Sequence, residues 1–458
     1  MQYSTGAVFR LSRFTLNQDK LNKSLEKIIL EIPSTRGKIH TGGAMQFDEY
    51  GDLWWGVGDN EDLINAPANS KDLRGKILRI RPIDFPDDQT PQPGVGSTYT
   101  VPAQNFGEFF SEKSLQAGEN NRAEQFKNTT LVRPEIYAMG VRNPYTLTLD
   151  PVRRWVSWGD CGPDFNTVTE EDNLISEPGY FGYPYYAGNN ISLQYNAIST
   201  TTPKAPTGLG GGISPLPPAL PAIHNYQQAC AMTGPIYRYD PQLQSAVKFP
   251  PHFDRIWFIT EFNDSYIHAH RLDSAGKSIT QKYKLTEPGN LFAGIKSSLA
   301  KPLDFQFGPD GALYVLNYGL NAWYNATPTT GLVKIEYIGP SCPVIPGFKK
   351  EKVGCTQAND PNFDPQATHH DPSRCGPTAL NKTLKMELKH ILTRRSFQLP
   401  ISGQYRVQVL DLQGKILAQH QLEGGKTYLL SSLGLKNKGL GFLRFRVNNQ
   451  EQTIKVVP

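Results

Sequence analysis

A recurring hairpin format constrains the fold of this chain more than any other feature. In residues 47–57 and 307–316, a turn containing Asp and Gly leads into a strand of alternating, aromatic-rich residues. Residues 149–158 repeat the format without the Gly. Glycine supplies a positive φ at such turns, and aspartate bonds nearby backbone amides. Spaced hairpins of this kind predict an all-β fold, a β-propeller whose blades repeat one strand meander, with a β-sandwich as the alternative.

The composition is typical of a protein with short strands, and it limits the kinds of partner that the chain is expected to bind. The chain has 458 residues, enough for two or three units, and its 41 Gly and 36 Pro suit tight turns between strands. The formal net charge of +5 is spread along the chain, so nucleic acid is not an expected partner. The sequence holds no run of about 18 apolar residues, so we expect no transmembrane segment. The opening residues show no signal peptide.

Two shifts in composition divide the chain. Three of the five cysteines fall in residues 341–377, which have almost no strand pattern. From residue 396 onward, apolar and polar residues alternate again, as in half-buried antiparallel strands. We therefore predict a propeller over residues 1–338, a cysteine-containing linker module over 339–380 and a β-sandwich over 381–458.

His40 is the first candidate for chemistry, because it stands two positions before the glycine pair Gly42 and Gly43. An imidazole can take the hydroxyl proton of an alcohol near neutral pH while hydride leaves the carbon. An isolated histidine more often caps a strand or fills a channel. Glycines, however, let the backbone approach a flat cofactor closely. The segment therefore favours a base beside such a cofactor.

Three segments carry a family resemblance: residues 40–79, 139–164 and 301–319. Together they resemble the glucose/sorbosone dehydrogenase family, β-propeller enzymes that use pyrroloquinoline quinone (PQQ) and calcium. The resemblance extends over residues 11–337 and implies a six-bladed type of propeller. Members of the family have roughly a blade or more of propeller before the segment that matches residues 11–14. The resemblance therefore implies a propeller that is incomplete at its N-terminus.

The resemblance also implies which residues face the quinone. His40 would be the general base, with Gly42 and Gly43 beside the cofactor. Arg142 and Asn143 stand in a segment that matches the family's GxRNP motif, whose arginine and asparagine face PQQ. Arg142 would stabilise negative charge that develops on quinone oxygen. A turn in which Arg142 pairs with a carboxylate is the alternative.

Calcium ligands are implied in the same way. Gly162 and Pro163 occupy the place of a Gly-Pro dipeptide whose carbonyls bind calcium beneath PQQ in the family. Calcium prefers oxygen ligands, backbone carbonyls included. Glu170 and Glu171 would bind a second, structural calcium, and a solvated loop is the alternative.

The segment of residues 72–79 closely matches a family signature, yet its function is expected to be structural. Arg74 and Lys76 are expected to pair with carboxylates inside the blade rather than to touch a cofactor. The signature therefore adds to the resemblance and adds no candidate to the site.

The function implied is oxidation of an aldose or related hydroxyl compound by hydride transfer to PQQ, assisted by calcium. The partners implied are a small-molecule sugar and an external electron acceptor, a cytochrome or a quinone. A non-catalytic propeller that binds carbohydrate or cell-surface partners is the alternative. It is favoured by residues 258–264, which place acids and Asn where the family tends to have Lys or Arg.

The tail and the cysteines bear on location. Residues 396–458 resemble the C-terminal sorting domain of the type nine secretion route, which implies a secreted, periplasmic or cell-surface protein. Residues 354–375 resemble a short repeat of secreted bacterial proteins, which implies a disulfide between Cys355 and Cys375. Cys161 and Cys230 are expected to be free thiols inside the propeller, and the pairing of Cys342 stays open.

Overall fold

The computed structural model is an all-β protein with two α-helices among its described elements. The residues that the structure describes are 6–37, 39–150, 152–163, 169–193, 202–227, 230–263, 265–273, 275–288, 290, 292–320, 326–339, 353–354, 362, 369–370, 396–398, 404–410, 416–423, 426–429, 433, 441–447 and 450–456. The chain divides into two compact units, Met1–Lys349 and Lys350–Pro458. The predicted Cys355–Cys375 disulfide lies outside the described residues.

The strands of the first unit follow one another in short hairpins. In chain order they are β1 (Val8–Asn17), β2 (Lys20–Pro33), β3 (Met45–Phe47), β4 (Leu53–Val57), β5 (Lys76–Pro82), β6 (Tyr99–Thr100), β7 (Ile136–Met139), β8 (Pro144–Leu149), β9 (Val156–Asp160), β10 (Thr169–Ile175), β11 (Gly179–Tyr180), β12 (Tyr186–Ala187), β13 (Ile191–Ser192), β14 (His224–Gln227), β15 (Ala231–Ile236), β16 (Ile256–Glu261), β17 (Ile267–Leu272), β18 (Ile279–Lys284), β19 (Pro302–Phe307), β20 (Leu313–Asn317) and β21 (Gly331–Ile335).

Helices are few and lie in the connections. The helices α1 (Phe106–Gln116) and α2 (Asn120–Lys127) follow β6, and two 3-10 helices cover Pro251–Phe253 and Ala293–Ser298. In the part of the chain that the structure describes, every helix is too short or too polar to cross a membrane.

The strands form successive meander sheets, the arrangement that a propeller requires. The orders are β1-β2, then β11-β7-β5-β4-β3 with β6 on β5, then β14-β10-β9-β8, then β15-β16-β17-β18, and then β19-β20-β21. Neighbouring strands pair antiparallel within these sheets except β7 and β11, which pair in parallel. The prediction of an all-β, propeller-type fold is confirmed.

Each sheet packs against the next, so the central strands are covered on both faces. Every residue of β4, β9 and β16 is buried. Gly234 lies where three sheets meet. Its carbonyl accepts hydrogen bonds from Thr148 Oγ1 of the preceding sheet at 2.8 Å and from Trp257 Nε1 of its own sheet at 3.1 Å. A Cβ on Gly234 would lie 2.1 Å from the ring of Phe305. The blades are thus fixed by bonded polar groups as well as by apolar contact.

The family-signature segment is structural, as predicted, although one of its partners differs. Arg74 lies 2.6 Å from Asp72 and 3.1 Å from Asp62, so the expected pairing with carboxylates is confirmed. Lys76 is fully buried, and its Nζ donates to the carbonyls of Ala66 and Arg74, each at 2.7 Å. Burial lowers the pKa of Lys76 to about 7. A carboxylate partner for Lys76 was therefore a wrong prediction, because backbone carbonyls already surround the ammonium group.

The second unit is also built of strands. They are β22 (Val353–Gly354), β23 (His369–His370), β24 (Ser396–Gln398), β25 (Gln404–Leu410), β26 (Ile416–Glu423), β27 (Thr427–Leu429), β28 (Gly441–Val447) and β29 (Gln450–Val456). A four-stranded sheet has the order β26-β25-β28-β29, and β24 pairs with β27. Val407 and Val409 are buried at alternate positions of β25, as the sequence pattern predicts. The boundaries at 338 and 380 stay predictions.

Candidate active site

His40 is held by a buried carboxylate at the start of the site. Its Nδ1 lies 2.7 Å from Oδ1 of Asp59, whose side chain is 0% exposed, while 13% of the His40 side chain is exposed. Asp59 Oδ1 also accepts the backbone amide of Glu61 at 2.9 Å, which fixes the carboxylate. A histidine whose Nδ1 donates to a carboxylate presents the lone pair of Nε2 outward. This is the arrangement of an oriented base.

Close backbone approaches place His40 next to the segment of Asn143. The amide of Gly42 donates to Oδ1 of Asn143 at 3.0 Å. Gly42 has a φ of +62°, and a Cβ there would lie 2.5 Å from the carbonyl oxygen of Gly56. A Cβ on Gly58 would lie 2.1 Å from the carbonyl oxygen of His40. Only glycine fits at these two positions, so the loop of His40 lies directly against the end of β4.

Gly43 borders open space. Its φ is +120°, and a Cβ at this position would meet no atom within 4 Å. Beside it lies a pocket of about 680 Å³, lined by Gly42, Gly43, Ala44, Met45, Gln46, Tyr145, Thr146, Leu147, Leu303, Asp304, Gln306 and Leu316. The lining residues come from or adjoin β3, β8, β19 and β20, which belong to three different sheets. The volume lies in the range of small-molecule sites, about 300–1,000 Å³.

Asp160 positions the segment of Arg142 and Asn143. Its carboxylate accepts the amide of Arg142 at 2.7 Å and the amide of Asn143 at 2.6 Å. Burial raises the pKa of Asp160 to about 6, although both amides act in the opposite direction. The carbonyl of Arg142 accepts the amide of Asp59 at 2.7 Å. The two buried aspartates thus join the segments of His40 and Arg142 into one unit.

The guanidinium of Arg142 reaches the next candidate segment. Its Nη1 donates to the carbonyl of Cys161 at 3.1 Å, directly before Gly162 and Pro163. The amide of Gly162 donates to Oε2 of Glu170 at 2.9 Å. Pro163 is buried and Gly162 is half-buried. The predicted carbonyl ligands therefore lie between the arginine and a carboxylate.

Glu170 and Glu171 are buried on β10, which excludes the alternative of a solvated loop. Both are 7% exposed. Burial is the main reason that the pKa of Glu170 and the pKa of Glu171 are each raised to about 8, and the nearby charge of Asp160 adds to both shifts. Asn173 Nδ2 donates to Oε2 of Glu171 at 3.1 Å. Carboxyl groups under such mutual repulsion bind protons or a cation.

Cys161 and Cys230 form a disulfide, so their prediction as free thiols was wrong. Their Cα atoms lie 4.8 Å apart, although 69 positions separate them in sequence. Cys161 directly follows β9 and Cys230 directly precedes β15. These strand ends touch, because a Cβ on Gly159 would lie 2.2 Å from the carbonyl oxygen of Ala231. The disulfide therefore closes the loop that carries Gly162 and Pro163.

The structure brings most of the predicted residues together through two aspartates that the sequence reasoning missed. Asp59 and Asp160 each follow a glycine at the end of a buried, Trp-containing strand, β4 and β9. This shared Gly-Asp ending is the sequence pattern that could have identified the two aspartates. The predicted residues that these contacts connect are His40, Gly42, Arg142, Asn143, Gly162 and Glu170. Gly43 and Pro163 adjoin them in sequence, and Glu171 is the neighbour of Glu170 on β10.

The family match covers the start of the chain. Residues 2–96 match the family described as Glucose / Sorbosone dehydrogenase. The HIPL1 protein of Arabidopsis thaliana is 29% identical over 157 residues, which cover 33% of this chain and 19% of the plant protein. The chain thus spans less than a fifth of this curated relative.

Two solved structures are similar at low identity. The soluble aldose sugar dehydrogenase from Escherichia coli, solved in its apo-form, is 19% identical, with 67% of this chain and 70% of that chain covered and a TM-score of 0.42. The PQQ-bound aldose sugar dehydrogenase from Streptomyces coelicolor is 16% identical, with 73% of each chain covered and a TM-score of 0.43. Residues 2–96 are thus similar in sequence to the glucose/sorbosone dehydrogenase family.

Proposed function

We propose that the chain is a quinoprotein sugar dehydrogenase, which oxidises an aldose or a related hydroxyl compound with PQQ and calcium. The family match of residues 2–96 supports the class of enzyme. The 2.7 Å contact between His40 and Asp59 is the observation that carries the proposal. A solvent-accessible imidazole oriented by a buried carboxylate is the base that alcohol oxidation requires.

His40 would act through Nε2. This nitrogen takes the hydroxyl proton of the sugar while hydride leaves the same carbon. Asp59 stabilises the imidazolium that forms, because its buried carboxylate stays bonded to Nδ1. The proton then leaves to water, since part of the His40 ring is accessible. Glu61, whose Oε1 lies 3.9 Å from Nε2, is the nearest described carboxylate on that route.

The residues fit a flat, anionic cofactor. The open side of Gly43 and the pocket beside it provide room where a larger residue would fill space. Asn143 Oδ1 accepts the amide of Gly42, which lines this pocket, and Asp160 fixes the backbone of Arg142 and Asn143. The amide Nδ2 of Asn143 and the guanidinium of Arg142 would donate to cofactor oxygens. When bound, PQQ supplies the hydride acceptor and calcium supplies positive charge.

The donor set fits calcium. The carbonyls of Gly162 and Pro163 are oxygen ligands of the kind that calcium prefers. Nearby, Glu170 and Glu171 are buried carboxyl groups whose pKa values are each raised to about 8. A divalent cation would remove the repulsion that contributes to these shifts. Glu170 and Glu171 are therefore proposed to hold a second, structural calcium.

The reaction also requires an electron acceptor, and the proposal includes the compartment in which the protein acts. Each turnover leaves two electrons on the cofactor, so an external acceptor, a cytochrome or a quinone, must remove them. We place the protein outside the cytoplasm, in the periplasm, at the cell surface or secreted. The Cys161–Cys230 disulfide supports this location, because disulfides persist in oxidising compartments. The tail of residues 396–458 is proposed to be a type nine sorting domain.

Reconstitution tests the proposal. The purified chain is titrated with PQQ in the presence of calcium, and dye reduction is then measured across a panel of aldoses and sugar alcohols. Saturable PQQ binding with sugar-dependent dye reduction is the expected result. Sugar binding without PQQ binding or turnover would instead favour a non-catalytic propeller that binds carbohydrate.

A further inference from the structure

Three buried histidines meet where two sheets pack together, and none of the three is assigned to the proposed reaction. His224 lies on β14, and His268 and His270 lie on β17. Their exposures are 7%, 6% and 0%. Since His268 and His270 are two positions apart on one strand, their side chains share a face of the sheet. The ring of His224 approaches that face from the neighbouring sheet.

The hydrogen bonds within the described residues do not account for this cluster. Among the described residues, neither ring nitrogen of the fully buried His270 has a hydrogen-bond partner. Buried polar atoms are nearly always paired, so each exception requires an explanation.

A carboxylate is bonded to one of the rings, as in metal sites, and a second carboxylate lies close to another ring without a hydrogen bond to it. Asp172 is fully buried, and its Oδ2 lies 3.0 Å from Nδ1 of His224. Glu261 Oε1 lies 3.1 Å from Nε2 of His268. A carboxylate that accepts one ring N–H fixes the tautomer and presents the other nitrogen to a metal. For His224 that nitrogen is Nε2.

The spacing of the rings suits a single metal ion. The ring centroids lie 4.5 Å apart for His224 and His270, 5.7 Å for His268 and His270, and 6.5 Å for His224 and His268. Three imidazoles on one tetrahedral zinc, with bonds of about 2.1 Å, place their centroids about 5 Å apart. Among described residues, these ring nitrogens are not yet all within 4.8 Å of one another. Binding therefore requires the rings to turn toward one another.

A pocket gives a metal ion access to the histidines, and nearby carboxylates would balance its positive charge. A pocket of about 530 Å³ reaches all three histidines. Lys282 and Lys284 lie opposite His270 and His268 on β18. Lys284 Nζ lies over the ring of Tyr266, 4.5 Å from its centroid. The carboxylates around the cluster, Asp172, Glu261 and Glu287, outnumber these two lysines, so a cation is favoured.

We infer that His224, His268 and His270 bind one divalent transition-metal ion, zinc foremost. Imidazole ligands suit zinc, copper and nickel far better than calcium or magnesium. The ion would join β14 to β17 and so link two neighbouring sheets of the propeller. The three histidines are different residues from the proposed calcium ligands, and the site does not depend on the proposed dehydrogenase reaction.

Metal titration of the full chain tests the inference. The chelator-treated, non-reduced protein is titrated with zinc sulfate by calorimetry and with cobalt chloride by visible absorption. About one tight zinc ion per chain and the intense absorption of tetrahedral cobalt are expected. His270→Gln should weaken zinc binding by about 100-fold or more, and Asp172→Asn by about 10- to 100-fold, the range for a supporting carboxylate. His420→Gln, in the second unit, is the matched control and should bind as the original chain does.

Two results would overturn the inference. One is the lack of any tight zinc binding in the original chain. The other is equal zinc affinity in His270→Gln, His224→Gln and His420→Gln, which would assign the ion to another place. Thermal denaturation shows whether each variant is folded. His224→Gln is the second ligand variant, because His224 lies on the end strand of its sheet, where a substitution disturbs the sheet least. A zinc-dependent rise in the melting temperature should disappear in both ligand variants and persist in His420→Gln.

Discussion

Asp59 Oδ1 and His40 Nδ1 lie 2.7 Å apart, and the carboxylate that makes this contact is completely buried. The same oxygen accepts the amide of Glu61, and the amide of Asp59 itself donates to the carbonyl of Arg142. The orientation of the imidazole is therefore set by backbone as well as by side chains. The imidazole of His40, the segment of Arg142 and the end of β4 form one positioned group.

The first prediction concerns His40. If Nε2 takes the hydroxyl proton, His40→Asn should lower turnover by about 100-fold or more and leave PQQ affinity nearly unchanged, since the base acts in the chemical step. Steady-state dye reduction and PQQ titration measure the two effects. His420→Asn is the control. Undiminished turnover in His40→Asn would remove this residue from the mechanism.

The second prediction concerns Asp59 as a positioning residue. Asp59→Asn keeps the size of the side chain but removes the charge that stabilises the imidazolium. We expect turnover to fall by about 100-fold, with KM for the sugar and PQQ affinity within a few fold of the original values. Glu49→Gln, which changes an exposed carboxylate in the turn before β4, is the control and should have a small effect. Equal losses in the two variants would show that Asp59 has no special role.

The third prediction concerns calcium. Exhaustive chelation should abolish activity, and calcium should restore it better than magnesium, because carbonyl-rich sites of high coordination number suit the larger ion. Activity measured against free metal concentration gives both affinities. Glu170→Gln should raise the calcium concentration required for stability more than that required for turnover. Full activity after chelation would exclude Gly162 and Pro163 as metal ligands.

The fourth prediction concerns pH and stability. The pKa of Glu170 and the pKa of Glu171 are each raised to about 8, above the ordinary value of 4.5. Between pH 4.5 and pH 8 the folded chain therefore binds more protons than the unfolded chain, so the stability of the metal-free protein falls as the pH rises.

Denaturant unfolding at a series of pH values in this window measures the effect. A Glu170→Gln, Glu171→Gln double variant should show a flatter dependence. Calcium should oppose the loss in the original chain, because it stabilises the charged carboxylates. A stability that rises steadily across the window in the metal-free protein would contradict the prediction.

The fifth prediction concerns the disulfide. Cys161 and Cys230 are 69 positions apart, and closing such a loop stabilises a protein by about 4 kcal/mol in the chain-entropy model. Cys161→Ser, Cys230→Ser should lower the free energy of unfolding by that order, with Cys342→Ser as control. Non-reducing peptide mapping should recover the linked pair. Complete alkylation of both cysteines in protein from its native compartment would contradict an oxidising location.

The strand pattern and the motifs predicted much of this protein. The hairpin format predicted the all-β fold, because alternation and turn chemistry are local properties of the sequence. His40, Arg142 and Asn143 stood out as candidates because each lies in a short segment with a family resemblance. Their proximity in the structure is consistent with a common site.

Contacts between distant strand ends could not be predicted in this way. Asp160 binds the amides of Arg142 and Asn143 because β8 and β9 pair, and the sequence alone does not state which buried aspartate faces which amide. The Cys161–Cys230 pair depends on the packing of β9 against β15 in the same manner. The disulfide was predicted between Cys355 and Cys375, because their segment resembles a repeat of secreted proteins. Cys161 and Cys230 are brought together by tertiary packing, and no local sequence pattern indicates that they pair.

The position of this disulfide has a practical consequence for how the protein is produced. Cys161, Cys230 and Glu170 present ligand atoms that all lie within 4.8 Å of one another. In a reducing host the two sulfurs would be thiols beside a carboxyl group, a set of ligands that captures zinc. Material made in such a host would carry adventitious metal next to the loop of Gly162 and Pro163. Batches should therefore be compared only after their thiol and zinc contents are known.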